Sequence, residues 1–275
     1  MRNIFLVIMI LFSTSVYAQK QQIEVVSRFD TSKTTAIVAM EFIRILNKTQ
    51  TKFEFRFVAL PGAAGEIADI RAISLTRSNI PTLVLGSTSS WALNRYTFGN
   101  TFDRDNDLVP LIGFGGVPFA IQVSPNSKIE NLDQLVNSIR NKKESYHATT
   151  VSGSASNFFA NVFIDYYQLS NVKHISYRLS SDMVYSIINN ETDFAISNIA
   201  DSLPLKSIAI SSEERLSFLS NTATGKEVGF DKFRYITLST ISIPKESKNQ
   251  FVEIGNLLFE ICLTEDMQNF FRKSK

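Results

Sequence analysis

Four short segments of this chain are rich in hydroxyl side chains: residues 31–35, 87–90, 152–156 and 180–181. Each follows or adjoins a stretch that is typical of a β-strand. In open parallel sheets, ligands bind beyond the carboxyl ends of the strands, where helix N-termini present backbone N–H groups. Hydroxyls beside such N–H groups suit a carboxylate or another oxyanion. One serine or threonine at a helix start is also an ordinary N-cap. Four such segments at matching strand ends favour a ligand cleft.

The candidate ligand-binding residues lie in and around these segments. They are Thr31, Ser32, Lys33, Thr34, Thr35, Ser87, Thr88, Ser152, Gly153, Ser154, Ser156, Tyr177, Ser180 and Asn198. Lys33 precedes a helix expected to begin near Thr34, so it adds a cation where the helix start already favours an anion. Ser154 is expected at the start of another helix. We therefore predict that a ligand carboxylate bridges Lys33 and Ser154. The alternative is that Lys33 is a solvated surface lysine.

Strands that alternate with helices carry these segments, which is the pattern of βαβ units and a parallel sheet. The predicted strands cover residues 22–28, 53–59, 81–85, 120–123, 146–151, 174–177, 192–196 and 235–243. The first predicted helix begins near Thr34, and its apolar residues recur at helical spacing from Ala36 to Leu46. The other predicted helices cover 66–77, 131–142, 157–167, 180–189 and 248–272. We predict an α/β fold of two lobes, each a sheet flanked by helices, with the ligand cleft between them. Residues 19–120 plus 225–275 form one lobe, and 121–224 form the other.

Residues 1–18 have the order of a secretory signal, with a positive charge at Arg2, an apolar run from Ile4 to Phe12 and a small residue at Ala18. A membrane anchor is the alternative, but that run is about half of the ~20 residues needed to span a bilayer. We predict cleavage after about Ala18 and a mature protein outside the cytoplasm. The net charge of +2 comes without a basic block, so no footprint for nucleic acid or anionic membrane is expected.

Catalytic patterns are weak in this sequence. His147 and His174 are its two histidines, and neither has a metal-ligand spacing to an acidic cluster, so each is expected to be a packed or edge residue. The 152–154 segment is not a Gly-x-Ser-x-Gly elbow, and no phosphate-binding or dinucleotide glycine loop is present. The acidic stretch 103–107 lacks the glycine and glutamate of a calcium loop. We expect no catalytic residue, no metal and no cofactor. A secreted hydrolase that uses Ser154 is the least favoured alternative.

Several motifs together resemble a known family. The segment 60–67, Leu-Pro-Gly-Ala-Ala-Gly-Glu-Ile, resembles the Pro-Gly-Ala-Gly-Gly-x-Ile signature of the Bug family, the TctC-like receptors of tripartite tricarboxylate transporters. Segment 102–110 is similar to their Tyr-Asp-Pro-x-Lys-Asp-Phe-x-Pro stretch, and 152–154 to their Gly-x-Gly-Ser loop. Segment 174–177 is similar to their His-Val-Pro-Tyr, and 189–193 to their Gly-Gly-x-x-Asp. The order and spacing of these motifs hold from about Val25 to Arg215.

The resemblance implies a two-lobed periplasmic-binding-protein fold of type II that closes around a small organic carboxylate. It also implies that loops 31–35 and 152–156 hold this carboxylate, that Tyr177 and the loop after it close the site, and that membrane permease subunits are the partners of a monomeric receptor. The first loop departs from the family, because Thr35 stands where an aspartate is expected and Ala39 where an arginine is expected. Two functions therefore stay open: a periplasmic receptor that captures a carboxylate for transport, or a sensory or interaction protein that keeps the fold without transport.

Overall fold

The computed structural model describes residues 20–31, 33–50, 52–97, 107–150, 154–250 and 252–273. The expected signal segment 1–18, the candidate site residues Ser32, Ser152 and Gly153, and most of the acidic stretch 103–107 lie outside these ranges. Among the helices within them, none has the length and apolar character needed to cross a membrane.

Strands and helices alternate through most of the chain. The strands are β1 (Gln21–Ser27), β2 (Phe53–Ala59), β3 (Thr82–Ser87), β4 (Leu108–Val123), β5 (Ser145–Thr149), β6 (Val172–Ser176), β7 (Phe194–Asn198), β8 (Lys206–Ile210), β9 (Ala223–Thr224) and β10 (Ile236–Pro244). The helices are α1 (Thr34–Thr49), α2 (Glu66–Arg77), α3 (Thr88–Thr97), α4 (Leu132–Arg140), α5 (Ala155–Tyr167), α6 (Ser180–Ile188), α7 (Val252–Leu263) and α8 (Glu265–Lys273). Short 3-10 turns cover Ala63–Gly65, Ile199–Asp201, Ser217–Leu219 and Lys245–Gln250.

The strands form two sheets that share one long strand. In the first sheet the order is β2-β1-β3-β10-β4, with β1 parallel to β2 and β3 and with β10 antiparallel to β3 and β4. In the second sheet the end of β4 pairs antiparallel with β7 and β8, and β7, β5 and β6 run parallel. Strand β4 therefore carries the chain from one sheet to the other. We call the first sheet with α1, α2, α3, α7 and α8 the first lobe, and the second sheet with α4, α5 and α6 the second lobe.

Each lobe has its own apolar core. Helix α1 buries the face formed by Ala39, Phe42 and Leu46, which recur at helical spacing, against the first sheet. The ring of Phe42 stacks on Phe114, with the ring centroids 4.9 Å apart. In the second lobe, phenylalanines from α5, from β7 and from the segment before β10 pack together: Phe159, Phe163, Phe194, Phe230 and Phe233. Stability therefore rests on packed apolar side chains on both sides of the cleft.

The predicted bounds of β2 and α2 agree with the structure. The predicted strand 120–123 is only the end of β4, which begins at Leu108. The first half of β4 was not predicted, because it contains glycine and proline residues, which have a low propensity for strand interiors. Two of these glycines have a packing reason, because a Cβ at Gly116 would lie 2.9 Å from Ile236 and one at Gly113 would lie 3.2 Å from Leu238, both on β10. Strands β8 and β9 were not predicted.

The hydroxyl-rich segment 87–90, expected as a loop after the strand 81–85, has a different structure. Strand β3 continues through Ser87, and helix α3 begins at the next residue, Thr88. Strand and helix therefore meet without an intervening loop, so the hydroxyls of this segment lie in a strand end and a first helical turn.

Candidate functional site

The carboxyl ends of strands from both lobes face each other, and two hydrogen-bonded contacts join them. On the first lobe, β1 ends just before the N-terminus of α1. On the second lobe, β6 is followed by α6, and β7 is followed by the 3-10 turn Ile199–Asp201. Contacts between residues 33 and 180 and between residues 34 and 201 connect segments that are 147 and 167 residues apart in the chain. These contacts locate the cleft that the sequence predicts.

Lys33 reaches from the first lobe to the second. Its ammonium Nζ donates a hydrogen bond to the hydroxyl of Ser180, the first residue of α6. Both residues are half-buried, and no carboxylate in the described part of the chain forms an ion pair with Lys33. Helix α6 begins there without a side-chain cap from Leu179. A half-buried cation therefore lies at the cleft beside a helix start, and both features favour an anion.

Asp201 makes the second contact across the cleft. Its Oδ1 accepts a hydrogen bond from the Thr34 hydroxyl at 2.9 Å and a long one from the Thr34 backbone N–H at 3.4 Å. Helix α1 has no acidic residue in its own first turn, and Lys33 gives it no side-chain cap. A carboxylate from the opposite lobe therefore caps α1. Sequence reasoning missed Asp201 because it searched strand ends for hydroxyls. The position of Asp201 just after β7, three residues beyond Asn198, was the available signal.

Ser154 lies at the N-cap of α5 and makes no side-chain cap bond. Its Oγ is buried and has no hydrogen-bond partner among the described residues. Buried hydroxyls are usually hydrogen-bonded, so Ser154 is an exception among the described residues. Ser156, two residues further along the chain, is different: it is buried, and its hydroxyl donates to the carbonyl of Ile196, which ties α5 to β7.

The Ser87–Thr88 segment holds α3 against the first sheet. The backbone N–H of Ser90 donates to Ser87 Oγ at 3.2 Å, and the backbone N–H of Ser87 donates to Ser90 Oγ at 3.1 Å. The Thr88 hydroxyl accepts from the backbone N–H of Leu238 at 3.0 Å and lies 3.3 Å from the Tyr235 hydroxyl. These contacts fix the start of α3 relative to β10.

Beneath the first-lobe loops lies a buried ion pair that the sequence did not predict. Arg28, the first residue after β1, donates through Nε to Asp69 Oδ1 at 2.7 Å and through a terminal nitrogen to Ser90 Oγ at 2.9 Å. The Arg28 and Asp69 side chains are 1% and 0% exposed. A Cβ at Gly65 would lie 2.7 Å from Arg28 Cδ, so the glycine makes room for the arginine. The pair connects the loop after β1 to α2 and α3.

The remaining candidate residues have local roles or exposed positions. The Tyr177 backbone N–H donates to the Thr149 carbonyl at 2.8 Å, and its ring packs beside α6. Asn198 Oδ1 accepts from the Ala200 backbone N–H at 3.0 Å and caps the 3-10 turn. Thr31 is exposed, and Thr35 is half-buried in the first turn of α1.

The two histidines pair with each other inside the second lobe. The backbone N–H of Ile196 donates to His147 Nε2 at 3.2 Å, so the proton of this ring is on Nδ1. Nδ1 of His147 donates to His174 Nδ1 at 3.0 Å, and His174 Nε2 donates to Asn161 Oδ1 at 2.9 Å. Burial, with a smaller effect of His174, lowers the pKa of His147 to about 3. His147 is thus a packed core residue, as the sequence predicts.

Two lobes joined through a shared strand, with strand ends and helix starts facing a cleft, define the two-lobed fold of type II periplasmic binding proteins. The sequence matches the TctC family, described as the tripartite tricarboxylate transporter family receptor, over residues 58–258. This match covers most of the chain, so the chain belongs to this receptor family. The family resemblance predicted from the sequence motifs is therefore confirmed.

Solved structures agree with this fold. The malate-bound MatC protein of Rhodopseudomonas palustris has 16% sequence identity and a TM-score of 0.77, over 90% of this chain and 86% of that one. A second R. palustris protein, solved with adipate, has 19% identity and a TM-score of 0.78, over 92% and 87% of the two chains. The periplasmic binding protein BugD has 15% identity and a TM-score of 0.76, over 92% and 86%. Comparison with curated proteins gave no match.

Proposed function

We propose that this receptor captures a small organic carboxylate between its lobes, outside the cytoplasm, and delivers it to a membrane permease of the tripartite tricarboxylate type. The observation that carries the proposal is Lys33, a half-buried cation at the cleft that bonds to Ser180 of the opposite lobe. Relatives solved with malate and adipate support a carboxylate as the class of ligand.

Electrostatics favour an anion at this position. A half-buried ammonium group loses part of its hydration, and a hydroxyl acceptor compensates for this loss less well than a carboxylate does. The Ser154 hydroxyl is a second donor, buried and without a partner among the described residues. We propose that one ligand carboxylate accepts hydrogen bonds from Lys33 and Ser154 and thereby holds the lobes together.

The proposal also covers the processing, the oligomeric state and the partner of the receptor. The signal segment is removed after about Ala18, the mature chain acts as a monomer without catalytic activity, and the closed form docks on the permease. We place the cleft between the two lobes defined above. Because Phe230 and Phe233 pack in the second core, we extend the second lobe to about residue 235 instead of 224. Neither the described residues nor the comparisons favour the alternative of a sensory protein without transport.

Titration calorimetry with a panel of mono-, di- and tricarboxylates tests the proposal. Lys33→Ala removes one charge-assisted contact of about 1.5–3 kcal/mol, so we expect the Kd to rise about tenfold to a hundredfold. High salt should weaken binding to the native protein more than to the variant, since the variant has lost the charged contact.

Lys48→Ala is the matched control, because Lys48 is an exposed lysine in the last turn of the same helix. Its Kd should be that of the native protein. Equal affinities of Lys33→Ala and Lys48→Ala would remove Lys33 from the site. No binding of any acid to the native protein would refute the proposed function itself.

A further inference from the structure

Two charged side chains of opposite sign cross the cleft from opposite lobes. Lys33 of the first lobe bonds to Ser180, and Asp201 of the second lobe bonds to Thr34. The residues Lys33 and Thr34 are adjacent, so both contacts are made at the start of α1. One of these charges is a cation that a ligand carboxylate can use. The other is a carboxylate that belongs to the protein.

The start of α1 would itself suit a carboxylate from a ligand, because it offers a hydroxyl and a backbone N–H group near the positive end of the helix. Asp201 Oδ1 already accepts hydrogen bonds from both of these Thr34 donors, at 2.9 Å and 3.4 Å. A second ligand carboxylate would have to displace Asp201 from Thr34 or lie beside it. Either choice is unfavourable, since the first gives up a charge-assisted bond and the second places two negative charges close together.

We propose that Asp201 is a specificity-determining residue that makes this receptor prefer monocarboxylates to dicarboxylates. This inference rests on the proposed function, because it assumes that a carboxylate binds at Lys33 and Ser154. Lys33 then neutralises the single charge of a monocarboxylate. A dicarboxylate brings a second negative charge into a cleft whose other anion position is filled by Asp201.

Matched pairs of acids with the same number of carbons provide the test. Hexanoate is compared with adipate, and 2-hydroxybutyrate with malate, by titration calorimetry on the native protein, Asp201→Asn and Asp201→Ala. The native protein should bind the monocarboxylate of each pair more tightly. Both variants should bind the dicarboxylates about tenfold more tightly than the native protein does, with a smaller change for the monocarboxylates. The ratio of the two Kd values is the readout, since a merely structural role of Asp201 would not change it selectively.

Asp165→Asn is the control, because Asp165 is an exposed carboxylate of the same lobe near the far end of α5. Circular dichroism checks that each variant is folded, and Asp201→Asn keeps the shape of the side chain. A native preference for the dicarboxylates, or a Kd ratio that stays the same in both Asp201 variants, would overturn the role of Asp201 while carboxylate binding persists. Absence of binding to all four acids in every variant would overturn the proposed function and this inference with it.

Discussion

The buried pair of Arg28 and Asp69 allows a sharp prediction about stability. The two side chains are 1% and 0% exposed, and their Nε–Oδ1 distance is 2.7 Å. Asp69→Ala would leave the Arg28 charge buried without this carboxylate. Breaking a buried ion pair by removing one partner costs about 3–5 kcal/mol, which is a large part of the ~5–15 kcal/mol that stabilises a typical domain. We expect the free energy of unfolding to fall by about that amount.

Urea-induced unfolding, followed by circular dichroism, measures this change. The control is Glu253→Ala, because the Lys52–Glu253 pair has side chains 60% and 59% exposed. Exposed pairs contribute at most about 1 kcal/mol, so this variant should unfold nearly as the native protein does. The double variant Arg28→Met with Asp69→Leu should recover most of the loss, since apolar side chains of similar size remove the buried charge. A loss below about 1 kcal/mol for Asp69→Ala would refute the argument that this pair is electrostatically buried.

Two further predictions concern the core of each lobe. The pKa of His147 is about 3 in the folded protein, below its ordinary value of 6.5, so the unfolded chain binds the proton more readily. The contribution of neutral His147 to the free energy of unfolding is then complete above pH 6.5, and it falls by about 2 kcal/mol between pH 6.5 and 5. Urea unfolding at pH 7, 6 and 5 measures this dependence, and His147→Gln should flatten it. Gly65→Ala should lower the melting temperature, because Gly65 has φ +95° and an added Cβ would lie 2.7 Å from Arg28 Cδ. Gly229→Ala is the control and should lower it less, because Gly229 also has a positive φ but an added Cβ there would have no atom within 4 Å. Equal losses in the two glycine variants would show that the backbone angle alone decides the effect.

The sequence by itself determined the family and some of the local elements. The predicted bounds of β2 and α2 agree with the structure, because strand and helix signals arise from neighbouring residues. The motif at 60–67 is also a local feature that the sequence reveals, since a tight turn restricts which residues fit. The prediction that a ligand binds at strand ends followed by hydroxyls also rests on the sequence alone.

Tertiary structure alone decided which side chains meet. The contacts of Lys33 with Ser180 and of Thr34 with Asp201 join residues 147 and 167 positions apart, and no local pattern encodes such partners. Arg28 and Asp69 likewise pair across 41 positions. The first half of β4 escaped prediction because its glycines are required by the side chains of β10 that cross over them. Periodicity specifies which face of an element is buried, whereas the partner on that face depends on how distant segments pack.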